Sequence, residues 1–150
     1  MLGQHPANDA WEALLAAHAI LMKKFAAENA WAEISMREYD VLYTLSKHAG
    51  PVRLSELNRR VLLSQPALSR LVDRLAERGM IKREADPADR RGVRLSLTEP
   101  GRRLQRQVGR RHARSVAREM TTGLTCRELR QLEAICLKLA SQHASKECPR

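Results

Sequence analysis

Apolar residues recur along most of this chain at helical spacing, and the period shortens to that of strands only near the middle. Trp11, Leu14, His18, Leu21 and Phe25 follow one another in steps of three and four, with Leu15 and Met22 widening the stripe. Residues 9 to about 30 are therefore predicted as a helix with one apolar seam, opened by the capping-box pair Asp9 and Glu12. A second helix is predicted from Ser35 to Ala49. Ser35 and Glu38 cap it, Tyr39, Leu42 and Leu45 share its buried face, and Gly50-Pro51 ends it. Val52 to Leu54 suits a short strand, and Ser55 is placed to cap a short helix through about Leu62, with Leu57, Val61 and Leu62 inward.

The next stretch is amphipathic. Leu68, Leu71, Val72 and Leu75 share one face, while Pro66, Ser69, Arg70, Asp73, Arg74 and Glu77 fall opposite. Ser64 sits at the N-cap, Pro66 is tolerated in the first turn, and Gly79 is a C-terminal stop. Met80 to Ala85 and Val93 to Leu97 then suit strands, with Asp86-Pro87 and Gly92 as turn signals and Arg90 and Arg91 at the tip. Asp89 is spaced to accept the guanidinium hydrogen bonds of Arg91. Two short helices joined by a tight turn and followed by a basic hairpin make a winged helix-turn-helix. Its second helix suits a major groove and its arginine finger suits a minor groove, where the potential is most negative.

Thr98 is predicted to cap a long helix to about Thr122, with Leu104, Val108, His112 and Val116 on one side. Arg103, Arg106, Arg110, Arg114 and Arg118 run along another side, as a solvated face or as a wider electrostatic footprint for DNA. Thr125 and Glu128 cap a last helix whose seam holds Leu129, Leu132, Cys136, Leu139 and His143, with fraying expected past Ser145. The fold class expected is mainly α with a small β-hairpin wing. It forms one domain over 1–150: a reader at about 35–98, with dimerisation helices at about 9–30 and 99–145. The seams at the two ends imply a homodimer through Trp11, Leu14, Leu132, Cys136 and Leu139.

Charge narrows the partner. Lys and Arg number 27 against 17 Asp and Glu, a formal net charge of +10, so a polyanion is favoured: nucleic acid or an acidic membrane surface. The longest unbroken apolar run, Ala13 to Ala17, is far short of the ~20 residues a membrane span needs. With no signal-peptide pattern at Met1 to Pro6, the cytoplasm is expected. No carboxylate cluster, nucleotide-binding glycine loop or Ser/Cys-His signature points to catalysis, so neither an enzyme nor a cofactor is expected. His5, His18, His48, His112 and His143 have no ligand spacing, and no metal site is expected.

The wing reads Asp89-Arg90-Arg91, then Gly92 to Ser96, then Leu97-Thr98 and Glu-Pro-Gly. With the preceding Ser64-Gln-Pro-Ala-Leu-Ser-Arg run, it resembles the MarR family of bacterial transcriptional regulators over nearly the whole chain. The resemblance implies a twofold homodimer with intertwined terminal helices. Each subunit would put the Gln65 helix in a major groove of a pseudo-palindromic operator and Arg91 in a flanking minor groove, with Asp89 orienting it. The DNA-facing set is then Ser55, Ser64, Gln65, Pro66, Ser69, Arg70 and Arg74, with Asp89, Arg90 and Arg91 of the wing.

Members are mostly repressors, and many are released by a small aromatic or otherwise anionic effector. A pocket between the dimer helices and the reader would draw on His18, Met22, Tyr39 and His112, each of which also suits plain core or interface packing. Peroxide-sensing relatives carry a reactive cysteine in the first helix. Here Cys126, Cys136 and Cys148 all come late, and Cys136 reads as a buried, inert thiol on the last seam. The rival readings are an architectural or partner-binding winged helix without sequence readout and a redox-responsive regulator.

Overall fold

The structure is a computed structural model that describes residues 6–144. The expected frayed end past Ser145, with Cys148, and His5 at the other end lie outside the described residues. In chain order the elements are α1 (Pro6–Ala26), a single 3₁₀ turn (Asn29–Trp31), α2 (Met36–Ser46), β1 (Val52–Arg53), α3 (Leu54–Arg60), α4 (Gln65–Glu77), β2 (Ile81–Asp86), β3 (Asp89–Leu97), α5 (Glu99–Gly123) and α6 (Cys126–Ala144). They fall into two compact units, one through His112 and one from Ala113 onward.

The first unit is a mainly helical body with a three-stranded antiparallel sheet in the order β1-β3-β2. Its core is the set that helical and strand periodicity select. Leu68, Leu71, Val72 and Leu75 of α4 are buried with Val41, Leu42 and Leu45 of α2, Leu57 of α3, Leu95 of β3 and Val108 of α5. Four-residue spacing keeps one face of α4 in that core, and the opposite face is left to solvent.

The caps expected at Ser35, Ser64 and Thr98 form. Ser35 accepts from the Glu38 amide at 3.2 Å while the Glu38 carboxylate accepts from the Ser35 amide at 2.8 Å. Ser64 accepts from the Ala67 amide at 3.3 Å. Thr98 accepts from the Gly101 amide at 3.1 Å, and its hydroxyl is 2.6 Å from the Gly79 carbonyl, which ties α5 to the end of α4. Gly79 adopts φ +69, the left-handed stop that ends a helix.

Several expectations are corrected. The first helix begins at Pro6 and ends at Ala26, so Asp9 lies inside the first turn, where it favours the helix dipole instead of capping. The 3₁₀ turn takes up the rest, and the Trp31 indole N–H donates to the Phe25 carbonyl. The second helix stops at Ser46, with Lys47 at its C-cap, and not at Ala49. Because β1 runs to Arg53, α3 starts at Leu54. Arg53 takes the N-cap without a side-chain bond, and Ser55 is inside the helix. Leu62 is 96% exposed: the chain leaves the helical course at Val61, φ −115 and ψ 141, so the phase that would turn Leu62 inward no longer applies.

The apolar seams of the two terminal helices are exposed, each in its own unit. On α1, Trp11 and Leu14 are 58% and 40% exposed. On α6, which Thr125 and Glu128 cap reciprocally, Leu132 and Leu139 are exposed. Cys136 is likewise exposed, against the expectation of a buried thiol. Among the described residues no helix is long and apolar enough to cross a membrane.

The first turn of α5 lies so close to the end of α4 that a Cβ on Gly101 would fall inside the Met80 carbonyl. Gly101→Ala is therefore expected to destabilise the fold by ~1–3 kcal/mol, seen as a lower midpoint in thermal unfolding. An unchanged midpoint would show that this contact is loose.

Candidate nucleic-acid interface

The outward face of α4 carries Gln65, Pro66, Arg70 and Arg74, all exposed, with Ser64 exposed at the cap and Ser69 half-buried. Asp73, on the same side, pairs with Arg83 of β2. The hairpin thus removes an acid that would oppose phosphate, whereas among the described residues Arg70 and Arg74 have no ion-pair partner.

The hairpin differs from its expected form in a way that matters for the site. Its turn is only Pro87 and Ala88, and β3 already begins at Asp89. Ala85 opposes Val93 but Asp86 opposes Asp89, so Arg90, Arg91 and Gly92 form a bulge without cross-strand partners. The two arginines sit on this exposed bulge and not at the tip. Asp89 also acts differently. Its carboxylate accepts from the backbone N–H of Arg91 at 3.0 Å, because two-residue spacing brings that amide nearest, as in an Asx turn. It fixes the backbone that carries Arg91, whose guanidinium has no ion-pair partner among the described residues.

Asp86, which the sequence marks only as a turn residue, is buried at 3% exposure. The Ala88 amide donates to it at 3.0 Å. Arg53 Nε lies 2.6 Å and Arg94 Nε 3.1 Å from its oxygens. The Ala88 amide, reinforced by the two guanidinium groups, holds its carboxyl below the usual carboxylate range against the opposing effect of burial. No local pattern could reveal this role. It depends on the strand register, which sets Arg53 directly opposite Arg94.

A cleft of about 350 Å³ joins the helix-turn-helix to the wing. Ser55, Gln65, Asp89 and Arg91, all expected from the sequence, line it together with Arg53, Asn58 and Arg59, which were not. Ser64, Pro66, Ser69, Arg70, Arg74 and Arg90 lie on the same helix or bulge outside that lining.

Of the residues expected around an effector, two come together. The His112 ring lies 5.7 Å from Tyr39, and 5.2 Å from both Phe25 and Trp31. Its Nδ1 is buried without a hydrogen-bond partner among the described residues. Burial raises the pKa of the Tyr39 phenol. Met22 is half-buried, and His18 is exposed on α1, outside these ring contacts.

A family model for the MarR family matches residues 33–92. The multiple antibiotic resistance protein MarR of Salmonella typhimurium is 32% identical over 107 residues, covering 71% of this chain and 74% of that protein. The chain belongs to the MarR family. As a MarR-family member it is a sequence-specific DNA-binding transcriptional regulator with a winged helix-turn-helix. Two solved structures of the family share the architecture at 25% identity. The crystal structure of AbsC, a MarR family transcriptional regulator from Streptomyces coelicolor, has a TM-score of 0.80 over 97% of this chain and 100% of that one. A mutant MarR from E. coli complexed with operator DNA has a TM-score of 0.71 over 91% and 99%.

Because the folded-state pKa of Asp86 is depressed, its contribution to stability is full above the unfolded-state value and is lost as pH falls through the folded one. Asp86→Asn is expected to lower the thermal midpoint at pH 7, with the gap to the parent chain closing below about pH 4. A gap independent of pH would remove the charge from the account.

Proposed function

We propose that this MarR-family regulator is a non-catalytic repressor, acting in the cytoplasm as a homodimer on a pseudo-palindromic operator, and that a small aromatic or anionic effector releases it. The observation that carries the reading is the cleft where the start of α4 meets the wing, with Arg53, Arg59, Gln65 and Arg91 around it. An exposed helix face with free arginines suits base edges and phosphates in a major groove. Arg91 on its bulge suits the minor groove beside it. In this reading Ser55, Ser64, Pro66, Ser69, Arg70, Arg74 and Arg90 add contacts around Gln65 and Arg91, and Asp89 positions the wing.

One reader per subunit gives half-sites about 34–36 Å apart in a dimer. The exposed apolar residues on α1 (Trp11 and Leu14) and on α6 (Leu132, Cys136 and Leu139) support association, each in its own unit. The effector reading rests on the aromatic walls around His112 and on its unsatisfied Nδ1, a group that a bound acid or phenol would engage. Tyr39 and His112 line it with Phe25 and Trp31 of the same cluster, while His18 and Met22 of α1 lie outside these ring contacts.

The test is fluorescence anisotropy on duplexes tiled over the DNA upstream of its own gene, against a random duplex at the same salt. A preferred duplex is expected, and Arg91→Ala should weaken it by roughly tenfold or more with the thermal midpoint unchanged. Equal affinity for every duplex would refute sequence readout. Leu139→Glu should give a monomer in sedimentation, and a persistent dimer would move the interface elsewhere. Aromatic acids that bind should raise the melting temperature and quench Trp31. A Trp31→Phe chain that keeps the full quench would place the effector away from the cluster.

A further inference from the structure

Arg53 stands at a junction. It ends β1, faces Arg94 across the β1–β3 ladder, and walls the cleft with Ser55, Arg59, Gln65 and Arg91. Like charges directly opposite each other on adjacent strands repel, and Asp86 reaches between them. One carboxylate against two guanidinium groups leaves one positive charge uncompensated. The Arg53 side chain is 50% exposed against 34% for Arg94, so the surplus is presented chiefly by Arg53. Among the described residues Asp86 is the only ion-pair partner of Arg53, and its Oδ2 approaches Nε as a charge contact without hydrogen-bond geometry. A guanidinium held at Nε still has its terminal N–H groups, in a planar fork that matches phosphate geometry.

We propose that Asp86 is a positioning residue that holds Arg53 as a phosphate contact of the reader. The proposal rests on the reading of the cleft as a DNA-binding surface. Asp86 also lines the cleft, but at 3% exposure it lies at the bottom of the wall behind Arg53. It acts through Arg53, and its own charge is masked from phosphate by the two arginines. A purely structural role, in which Asp86 only relieves the repulsion between Arg53 and Arg94, gives Arg53 no part in binding.

The two roles separate in a double-variant cycle on the full chain. The affinity of the preferred duplex is measured over a salt series for the parent, Arg53→Gln, Asp86→Asn and the double variant, with Arg91→Ala as reference and a thermal melt of each. Arg53→Gln should weaken binding several-fold and reduce the steepness of the salt dependence by about 1.8 for the dimer, the share of one phosphate from each subunit, with little change in the melt. Asp86→Asn should produce a similar loss, and the double variant should be no weaker than Arg53→Gln. Should Asp86→Asn not fold, Asp86→Asn/Arg94→Gln takes its place, since it removes one of the two stranded charges. If Arg53→Gln keeps the parent affinity and salt dependence while Arg91→Ala weakens binding, the proposal falls and the cleft reading stands. If the losses multiply in the double variant, Asp86 does not act through Arg53. If neither Arg53→Gln nor Arg91→Ala changes binding, the cleft reading itself fails.

Discussion

Everything in the reader depends on the burial of one stripe of α4. Leu68, Leu71, Val72 and Leu75 are fully or almost fully buried, and burial of such side chains contributes on the order of 1.5–3 kcal/mol each. That packing sets the rotation of the helix about its axis. Rotation decides which residues face out, so the same leucines that hold the fold also aim Gln65, Arg70 and Arg74. Arg78 at the end of α4 adds a latch, donating to the Glu33 carbonyl at 2.7 Å and pairing with Glu38, itself part of the α2 capping box. The reading helix is thereby anchored along its whole length, and its polar face is free to bind without disturbing the core.

The wing obeys a different constraint, because a two-stranded ribbon has little core of its own. Ile81, Leu95 and Leu97 secure its base in the hydrophobic core. Toward the turn, polar contacts take over. Asp86 is the buried centre of these, joining β1, the Pro87-Ala88 turn and β3, while Asp89 folds the bulge backbone under Arg91. A bulge makes good use of arginine: it lifts the side chains off the ladder without exposing a long unpaired strand edge. The acids of the wing therefore shape the surface, and the arginines form it.

Away from the reader, the two kinds of apolar surface suggest two kinds of work. The aromatic cluster of Phe25, Trp31, Tyr39 and His112 is internal to the first unit, with a buried polar atom among the rings. The seams of α1 and α6 are open, and a monomer that left them so would carry exposed leucine and isoleucine on both helices, with Trp11 on α1. A small molecule suits the first arrangement and a second copy of the chain suits the other. In the proposed reading, a switch between DNA-bound and free states needs only ~1–3 kcal/mol of coupling between the aromatic cluster and the reader.

What the sequence alone determined is whatever repeats locally. Helical periodicity picked out the buried stripe of α4, N-cap residues marked where α2, α4, α5 and α6 begin, and the Asp-Arg-Arg wing with its Leu-Thr terminus pointed to the family. These follow from contacts within a few residues, so they are legible along the chain. Tertiary structure decided what depends on register and on where one element runs into the next. Strand β1 displaced Ser55 from its cap, the end of α3 turned Leu62 outward, the bulge moved Arg90 and Arg91 off the tip, and Asp86 became a buried bridge between two arginines. The partners of Asp86 lie 33 and 8 residues away along the chain, and only pairing of the strands brings them to one carboxylate.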